Sequence, residues 1–265
     1  MPSRDLEKAR QAFDRKDPSA SRAAHAARTG VRADERHGGQ GGQYLRSAVY
    51  GGLDGIITTF AVVAGAAGAS LSAGVVLILG FANLIADGLS MAIGDYLSTK
   101  AELDYQKTER QREQWEIETY PEGEQHEMIE LYVAKGISEE DARTIVSIFS
   151  RNQRAWLDVM MVEELGIVES DESPVKNALV TFFSFGLFGL VPLLAYVALH
   201  LAPSVPVNRF ALACAFTAAT LFALGAMKSR VTRQNWIRAG FETLLVGGIA
   251  AVAAYVVGVV LGGLA

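Results

Sequence analysis

Three long blocks in the C-terminal third of the chain contain no charged residue. Residues 177–199, 210–227 and 243–265 lack Asp, Glu, Lys and Arg altogether. An α-helix needs roughly 20 residues to cross a hydrocarbon core about 30 Å thick, and each block has about that length. Backbone groups inside lipid must bond within the protein, and the continuous apolarity differs from the alternation of a barrel strand. The pattern therefore predicts three membrane-spanning helices.

Two earlier blocks have a similar length but carry isolated acidic residues. Residues 47–69 are uncharged apart from Asp54, and residues 73–97 are uncharged apart from Asp87 and Asp95. Only three residues connect the two blocks, which predicts an antiparallel hairpin. The predicted fold class is therefore an all-α integral membrane protein with five transmembrane helices.

Basic residues are concentrated on one set of connections. Residues 1–46 contain ten Lys or Arg, and residues 228–238 contain four. The other short connections are almost uncharged. Cytosolic loops of membrane proteins carry an excess of Lys and Arg. We therefore expect the N-terminus and the long segment between spans two and three to lie in the cytosol. A bacterial cytoplasmic membrane and a vacuolar membrane both satisfy this arrangement.

The segment between the second and third spans is strongly acidic. Residues 99–174 contain nineteen Asp or Glu and eight Lys or Arg, a net charge of about −11, whereas the whole chain carries −5. Strong helix formers fill its first part, and Pro121 and Gly123 interrupt the helical pattern. Ser138, followed by three acids, is typical of a helix start. We expect a cytosolic helical module, inserted between the second and third spans.

These patterns divide the chain into four parts. The N-terminal tail has charges of both signs and no apolar stretch resembling a signal peptide, so we expect it to be solvated and disordered. The predicted boundaries are residues 1–43 for the disordered cytosolic tail, 44–98 for transmembrane helices one and two, 99–174 for the acidic cytosolic module, and 175–265 for transmembrane helices three to five.

Carboxylates at membrane depth are costly and by default mark an ion or proton pathway. Asp54 lies about 10 Å inside the first span, and Met91 lies at a similar depth in the second. Asp87, Met91 and Asp95 recur every four residues, so they share one helix face. A thioether beside carboxylates suits Fe²⁺, Co²⁺ or Zn²⁺ better than Ca²⁺ or Mg²⁺. Interhelical hydrogen bonds of Asp87 and Asp95, and plain packing of Met91, are alternatives that stay open.

The acidic module repeats pairs of acids at helical spacing. Like charges three residues apart are mildly destabilising without a counter-ion, so their repetition on two helices makes a cation site one explanation. On spacing alone, a solvated acidic face is the commoner explanation, and adjacent methionines are more often core residues than ligands. The residues concerned are Glu113 with Glu116, Glu124 with Glu127, and Met160 and Met161 with Glu164.

With these residues in view, the chain resembles the vacuolar iron transporter (VIT) family from about Leu45 to its C-terminus. The first span contains Y-G-G-L-D-G at residues 50–55 and T-T-F-A-V-V-A-G at residues 58–65. The second span contains A-D-G-L-S-M-A-I-G-D-Y at residues 86–96, and the third contains F-G-L-V-P-L at residues 188–193. Their order, their spacing and the acidic insertion between them carry the resemblance.

The resemblance implies a five-helix homodimer that exports cytosolic Fe²⁺, often with Mn²⁺ and other divalent metals, in exchange for protons. The family's pathway is lined by an Asp of the first span and a Met of the second at the dimer interface, which match Asp54 and Met91. Its cytosolic metal-binding domain uses two E-x-x-E pairs and a later M-M-x-x-E, which match the seven residues of the acidic module named above. Glu102 completes no such pair, because Tyr105 stands three residues later.

We therefore expect a transporter and no enzymatic activity. The expected cargo is Fe²⁺, with Mn²⁺ and also Zn²⁺ or Co²⁺ as further substrates, and no cofactor is expected to be permanently bound. The expected partners are divalent metal ions, protons, the lipid bilayer and a second copy of the chain, but no nucleic acid. Two alternatives stay open: a broad or manganese-preferring exporter, and a membrane-anchored metal sensor or store that transports nothing.

Overall fold

Helices make up most of the chain that the structure describes. The structure is a computed structural model, and it describes residues 11–13, 15–20, 44–201, 207–232 and 235–263. From Leu45 onwards these residues form α1 (Leu45–Gly68), α2 (Ala73–Thr119), α3 (Pro121–Ala134), α4 (Glu139–Phe149), α5 (Gln153–Glu163), α6 (Pro174–Leu201), α7 (Arg209–Thr232) and α8 (Trp236–Gly262).

The predicted disordered tail, residues 1–43, lies largely outside the described residues. Within its described part, residues 11–13 and 18–20 are helical. The carboxylate of Asp17 accepts hydrogen bonds from the backbone N–H groups of Ser19 (2.8 Å) and Ala20 (3.1 Å). Residues 47–265 form a separate compact unit, which is described by itself below.

Five helices, α1, α2, α6, α7 and α8, are long and apolar enough to cross a membrane. This confirms the predicted number of spans, and α1 and α2 follow each other after a four-residue turn. Ser72 caps α2 by accepting a hydrogen bond from the backbone N–H of Val75 (3.4 Å). The last span begins at Trp236, earlier than predicted, because the side chain of Asn235 caps α8 by accepting a hydrogen bond from the backbone N–H of Ile237 (2.9 Å).

The helix that contains the second span continues far beyond it. α2 has 47 residues, so at 1.5 Å per residue it is about 70 Å long, whereas about 30 Å suffices to cross the hydrocarbon core. The predicted boundary between residues 98 and 99 falls inside this helix. Residues 99–119 contain neither Gly nor Pro and consist largely of good helix formers, so nothing interrupts the backbone there. We call residues 99–119 the stalk.

Glycines let α1 pack closely against its neighbours. A Cβ added to Gly51 would lie 2.7 Å from the carbonyl oxygen of Thr181, and one added to Gly55 would collide with the backbone of Phe185. On the other side, a Cβ on Gly258 of α8 would collide with the backbone of α1. Small residues at such contacts allow membrane helices to approach closely. α1 is therefore held between α6 and α8.

The stalk and α3–α5 pack around a hydrophobic cluster of their own. Ser138 caps α4, as predicted, by accepting a hydrogen bond from the backbone N–H of Asp141 (3.2 Å). Gly166, after α5, has φ +66°, a conformation that favours glycine. The cluster fixes the stalk, α3 and α5 relative to one another. Its buried members are Ile117, Met128, Val146, Trp156, Leu157, Met160, Met161 and Ile167.

Candidate metal-binding sites

Three carboxylates from different helices meet at one point of the acidic module. Glu113 lies near the end of the stalk, Glu124 in the first turn of α3, and Glu164 directly after α5. One carboxylate oxygen from each lies within 4.8 Å of the other two. Glu113 is fully buried and Glu124 is 7 % exposed, whereas Glu164 is exposed to solvent. Oxygens at this separation can face a single divalent cation that enters from the side of Glu164.

The apolar core of the module explains how two acids come to be buried. Glu113 stands four residues before Ile117, and Glu124 stands four residues before Met128, so each acid lies one helical turn from a core residue. Pro121 occupies the first turn of α3, so the chain turns between the stalk and α3. The faces that pack into the core therefore also bring the two acids to its edge.

Burial without hydrogen-bond donors destabilises the charged form of Glu113. Within the described part of the chain, neither of its carboxylate oxygens has a hydrogen-bond partner. Burial, and then the charges of Glu164, Glu124 and Glu116, raise the pKa of Glu113 to about 8. Burial is also the largest cause that raises the pKa of Glu124 and the pKa of Glu164, and neighbouring carboxylates add to it. Binding of a proton or of a metal cation neutralises the buried negative charge. Protons and metal would therefore compete for these carboxylates.

Glu116 and Glu127 lie at the edge of this three-carboxylate group. Glu116 pairs with Arg112 (3.4 Å), which also pairs with Glu109 (2.8 Å). Glu127 is exposed, and its charge contributes to the raised pKa of Glu124. Both are near enough to add negative charge to the group, and their roles as metal ligands stay predictions.

Met160 and Met161 are each 1 % exposed and belong to the apolar core of the module. The backbone carbonyl of Met160 accepts a hydrogen bond from the N–H of Glu164 (3.0 Å), so the helix containing both methionines ends beside that acid. Core packing accounts for their burial. Metal ligation by their thioethers stays a prediction.

A basic residue that no local sequence pattern indicates links the stalk to α5 and to the linker after it. Arg110 of the stalk pairs with Asp158 of α5 (2.5 Å) and with Glu169 in the linker after α5 (2.7 Å). Glu164 lies between these two partners in the sequence, so the double ion pair restricts the segment that carries it. Arg110 and Asp158 are 48 residues apart, so no local pattern could have indicated this pair.

Within the membrane-spanning helices, the structure brings Asp54 of α1 and Asp87 of α2 close enough for their charges to interact. Both are partly buried, and so is Met91 one turn further along α2. Asp95, another turn along, accepts a hydrogen bond from the hydroxyl of Thr181 in α6 (2.5 Å). The sequence left two roles open for Asp95, a pathway residue or an interhelical hydrogen bond. In the structure Asp95 makes the interhelical hydrogen bond.

A polar seam joins the stalk to the start of α6. Asn177 is 3 % exposed, and its amide donates hydrogen bonds to the hydroxyl of Thr99 (3.1 Å) and the carboxylate of Glu172 (2.8 Å). Further along the stalk, the side-chain oxygen of Gln106 accepts a hydrogen bond from the backbone N–H of Ser170 (3.3 Å). These bonds hold the linker between α5 and α6 against the stalk, and so fix the module relative to the spans.

Comparison with known proteins shows where the chain belongs. The sequence profile of the VIT family matches residues 45–259. The vacuolar iron transporter of Toxoplasma gondii (strain ATCC 50861 / VEG) is 41 % identical, over 96 % of this chain and 88 % of that protein. The vacuolar iron transporter of Plasmodium falciparum (isolate 3D7) is 36 % identical, over 98 % of each chain, and vacuolar iron transporter 1 of Arabidopsis thaliana is 34 % identical, over 81 % of this chain and 84 % of that one. This multi-pass membrane protein belongs to the VIT family.

Proposed function

We propose that this protein transports Fe²⁺ out of the cytosol in exchange for protons, and that it also carries Mn²⁺. The observation that carries the proposal is the group of Glu113, Glu124 and Glu164, in which a fully buried carboxylate has no hydrogen-bond partner among the described residues. A divalent cation would supply the positive charge that such a group lacks. The relatives named as vacuolar iron transporters support iron as the cargo.

The acidic module would load metal from the cytosol. Its net charge of about −11 concentrates cations near its surface. The exposed Glu164 would meet an incoming ion first, and the buried Glu113 and Glu124 would then replace part of its hydration shell. Carboxylate oxygens are suitable ligands for Mn²⁺ as well as for Fe²⁺, so this site supports both metals as cargo.

Inside the membrane, Asp54 and Asp87 would hold the metal next, with the thioether of Met91 one turn away on α2. Two interacting carboxylates at membrane depth favour a bound cation, because the cation offsets their mutual repulsion. A proton that arrives from the opposite side would compete with the metal for Asp54 and release it. This competition is the proposed coupling between metal export and proton return.

The distribution of basic residues supports the proposed direction. Ten Lys or Arg residues up to Arg46, and four more between residues 228 and 238, would place the N-terminus and the acidic module in the cytosol. The names of the relatives suggest a vacuolar or similar organellar membrane, and a bacterial cytoplasmic membrane is the alternative. In either membrane the metal would leave the cytosol.

The exposed face of α2 supports the proposal that the protein works as a homodimer. Ala82, Ala86, Ser90 and Gly94 recur every four residues on this helix, and all four are exposed. Small residues at this spacing let two membrane helices pack closely. Because the same helix carries the predicted pathway residues, pairing through this face would bring the pathway residues of both copies together at the dimer interface.

Metal flux into proteoliposomes that contain the purified full-length protein tests the proposal. With a pH gradient, uptake of Fe²⁺ (kept reduced with ascorbate) and of Mn²⁺ should exceed uptake by protein-free liposomes, and collapsing the gradient should slow it. Asp54→Asn should reduce flux at least tenfold, because a neutral amide cannot exchange a proton for metal. Asp104→Asn, an exposed acid of the stalk, is the matched control and should transport like wild type. Equal flux in Asp54→Asn and wild type would remove Asp54 from the mechanism.

The same assay separates a transporter from a metal sensor or store. If the wild-type protein binds Mn²⁺ but moves neither Mn²⁺ nor Fe²⁺, the transport proposal is wrong and the sensor or store is favoured. Competition between Fe²⁺, Mn²⁺, Zn²⁺ and Co²⁺ distinguishes an iron and manganese exporter from a broad one. Equal inhibition by all four metals would favour the broad exporter.

A further inference from the structure

An elongated cavity lies among α1, α7 and α8, away from the acidic residues of the proposed pathway. Its volume is about 360 Å³, which falls in the range of about 300–1,000 Å³ typical of small-molecule sites. It extends along α7 from Phe210 to Leu221 and along α8 from Tyr255 to Leu244. Eleven residues at 1.5 Å each make it about 16 Å long, parallel to the helices. The cavity is therefore a narrow slot rather than a rounded pocket.

The walls of the slot are largely apolar, and the hydroxyl of Thr217 is among the few polar groups that line it. At one end the rings of Phe60, Phe210 and Tyr255 stack, with centroids 6.4 Å apart for the first pair and 5.6 Å apart for the second. Further along, Ala218 and Gly248 line the walls, and a Cβ added to Gly248 would meet nothing within 4 Å. Small side chains in the middle and stacked aromatic rings at one end leave room for an unbranched hydrocarbon chain.

The slot opens towards the outer surface of α8. Val252 and Tyr255 line it and are 64 % and 40 % exposed. Because α8 is one of the five helices able to span the membrane, hydrocarbon is the medium outside this opening. A stable buried water needs two to four polar partners, and these walls offer few polar groups. We therefore expect the slot to be occupied by hydrocarbon from the surrounding membrane rather than by water.

A positive charge stands at the aromatic end of the slot. Arg209 is exposed and immediately precedes Phe210 at the start of α7, where the span ends. An arginine side chain can form charge-assisted hydrogen bonds with the phosphate that every phospholipid headgroup carries. An acyl chain in the slot would place its headgroup at this end, so the charge of Arg209 complements the phosphate.

We propose that this slot binds one acyl chain of a membrane phospholipid whose phosphate lies near Arg209. The chain would fill the space beside Phe60 and Ala64 of α1, the same helix that carries Asp54. A bound lipid would therefore support the packing of α1 in the bundle. The site is separate from the proposed metal pathway and does not depend on it.

Photo-crosslinking tests the proposal with the full-length protein in phosphatidylcholine nanodiscs. The probe is a phosphatidylglycerol with a diazirine in the middle of one acyl chain, and labelled peptides are mapped by mass spectrometry. Wild type should be labelled mainly within residues 210–221 and 244–255. Gly248→Leu should reduce this labelling at least fivefold, because the leucine side chain would occupy the slot. Gly186→Leu, on α6, is the matched control, since a Cβ there also meets nothing within 4 Å.

A second slot-filling variant and a second lipid probe complete the experiment. Ala218→Leu fills the slot from α7, so it replaces Gly248→Leu if that variant does not fold. A diacylglycerol probe with the same chain should label wild type less than the phospholipid does, and Arg209→Gln should remove that difference. Labelling spread evenly over α8 and unchanged in both leucine variants would mean contact with bulk lipid only and would overturn the proposal. Equal labelling of wild type by the two probes would overturn the assignment to a phospholipid.

Discussion

Replacing Glu113 by Gln should remove a pH dependence of stability that the buried carboxylate imposes on the acidic module. In the folded protein the pKa of Glu113 is about 8, against an ordinary value of 4.5. The folded state therefore holds this proton more tightly than the unfolded state does. The stabilisation that results is fully present below pH 4.5 and is lost as the pH rises through about 8.

The magnitude follows from the width of the pH interval. Each pH unit between the two pKa values costs about 1.4 kcal/mol of unfolding free energy, so the rise from pH 6 to pH 8 costs roughly 3 kcal/mol. Ordinary carboxylates are already ionised at pH 6, so this interval isolates Glu113 and its immediate neighbours. In a folding unit of 60–100 residues, 1 kcal/mol moves the thermal midpoint by about 4–8 °C. The midpoint of the metal-free module should therefore fall by roughly 12–24 °C.

Tryptophan fluorescence of the intact, detergent-solubilised and chelator-treated protein measures this fall. Trp156 is 3 % exposed in the core of the module, so its emission reports on module unfolding. Glu113→Gln should flatten the dependence, and Glu140→Gln, an exposed acid at the start of α4, should keep the wild-type slope. Mn²⁺ should restore the wild-type midpoint at pH 8, because the metal replaces the proton. A constant wild-type midpoint, or an equal slope in Glu113→Gln, would refute the reasoning.

Three further predictions concern helix packing, dimer formation and the coupling of the module to the spans. Gly55→Ala should lower the unfolding free energy by about 1–3 kcal/mol, because the added methyl group meets the backbone of Phe185. Gly186→Ala, where the methyl group meets open space, should change the unfolding free energy by less than about 0.5 kcal/mol. Thermal unfolding measures both changes. Ala86→Trp should convert a dimer into a monomer in gel filtration with light scattering, and a monomeric wild type would contradict the proposed interface. Asn177→Leu should lower flux but leave Mn²⁺ affinity unchanged, and loss of both would show that the seam serves folding alone.

The membrane part could be predicted closely from the sequence because lipid imposes a simple requirement. A spanning helix needs an apolar stretch of about 20 residues, so blocks with few or no charges indicated the spans within a few residues, except that the last span begins seven residues earlier. The sequence pattern did not show that α2 continues through the stalk, because the change from apolar to charged residues at Lys100 marks the end of hydrocarbon rather than the end of a helix. Helix propensity was the relevant signal there, since Pro121 is the first residue that interrupts it.

The candidate metal site could be predicted only in part. The E-x-x-E spacing located Glu113 and Glu116 on one helix face, but it could not show which of the two is buried. Their difference comes from tertiary packing: Glu113 points to the apolar edge where α3 and α5 meet the stalk, while Glu116 is paired with Arg112. Periodicity shows which residues share a face, and only the packing of other helices decides which of them is buried.

The stalk rigidly connects the carboxylate group of the acidic module to the pathway residues in the membrane. The helix face that carries both Asp95 and Glu113 is nevertheless not an open route for metal. Asp95 and Glu113 are 18 residues apart, which is five turns, so they point the same way about 27 Å apart. Between them, Thr99 and Gln106 on that face are engaged by Asn177 and the linker before α6. An ion leaving the module would have to pass through solvent before it enters the membrane path. The module then acts through local metal concentration, so raising bulk Mn²⁺ should restore flux to Glu113→Gln but not to a variant that lacks a carboxylate at position 54.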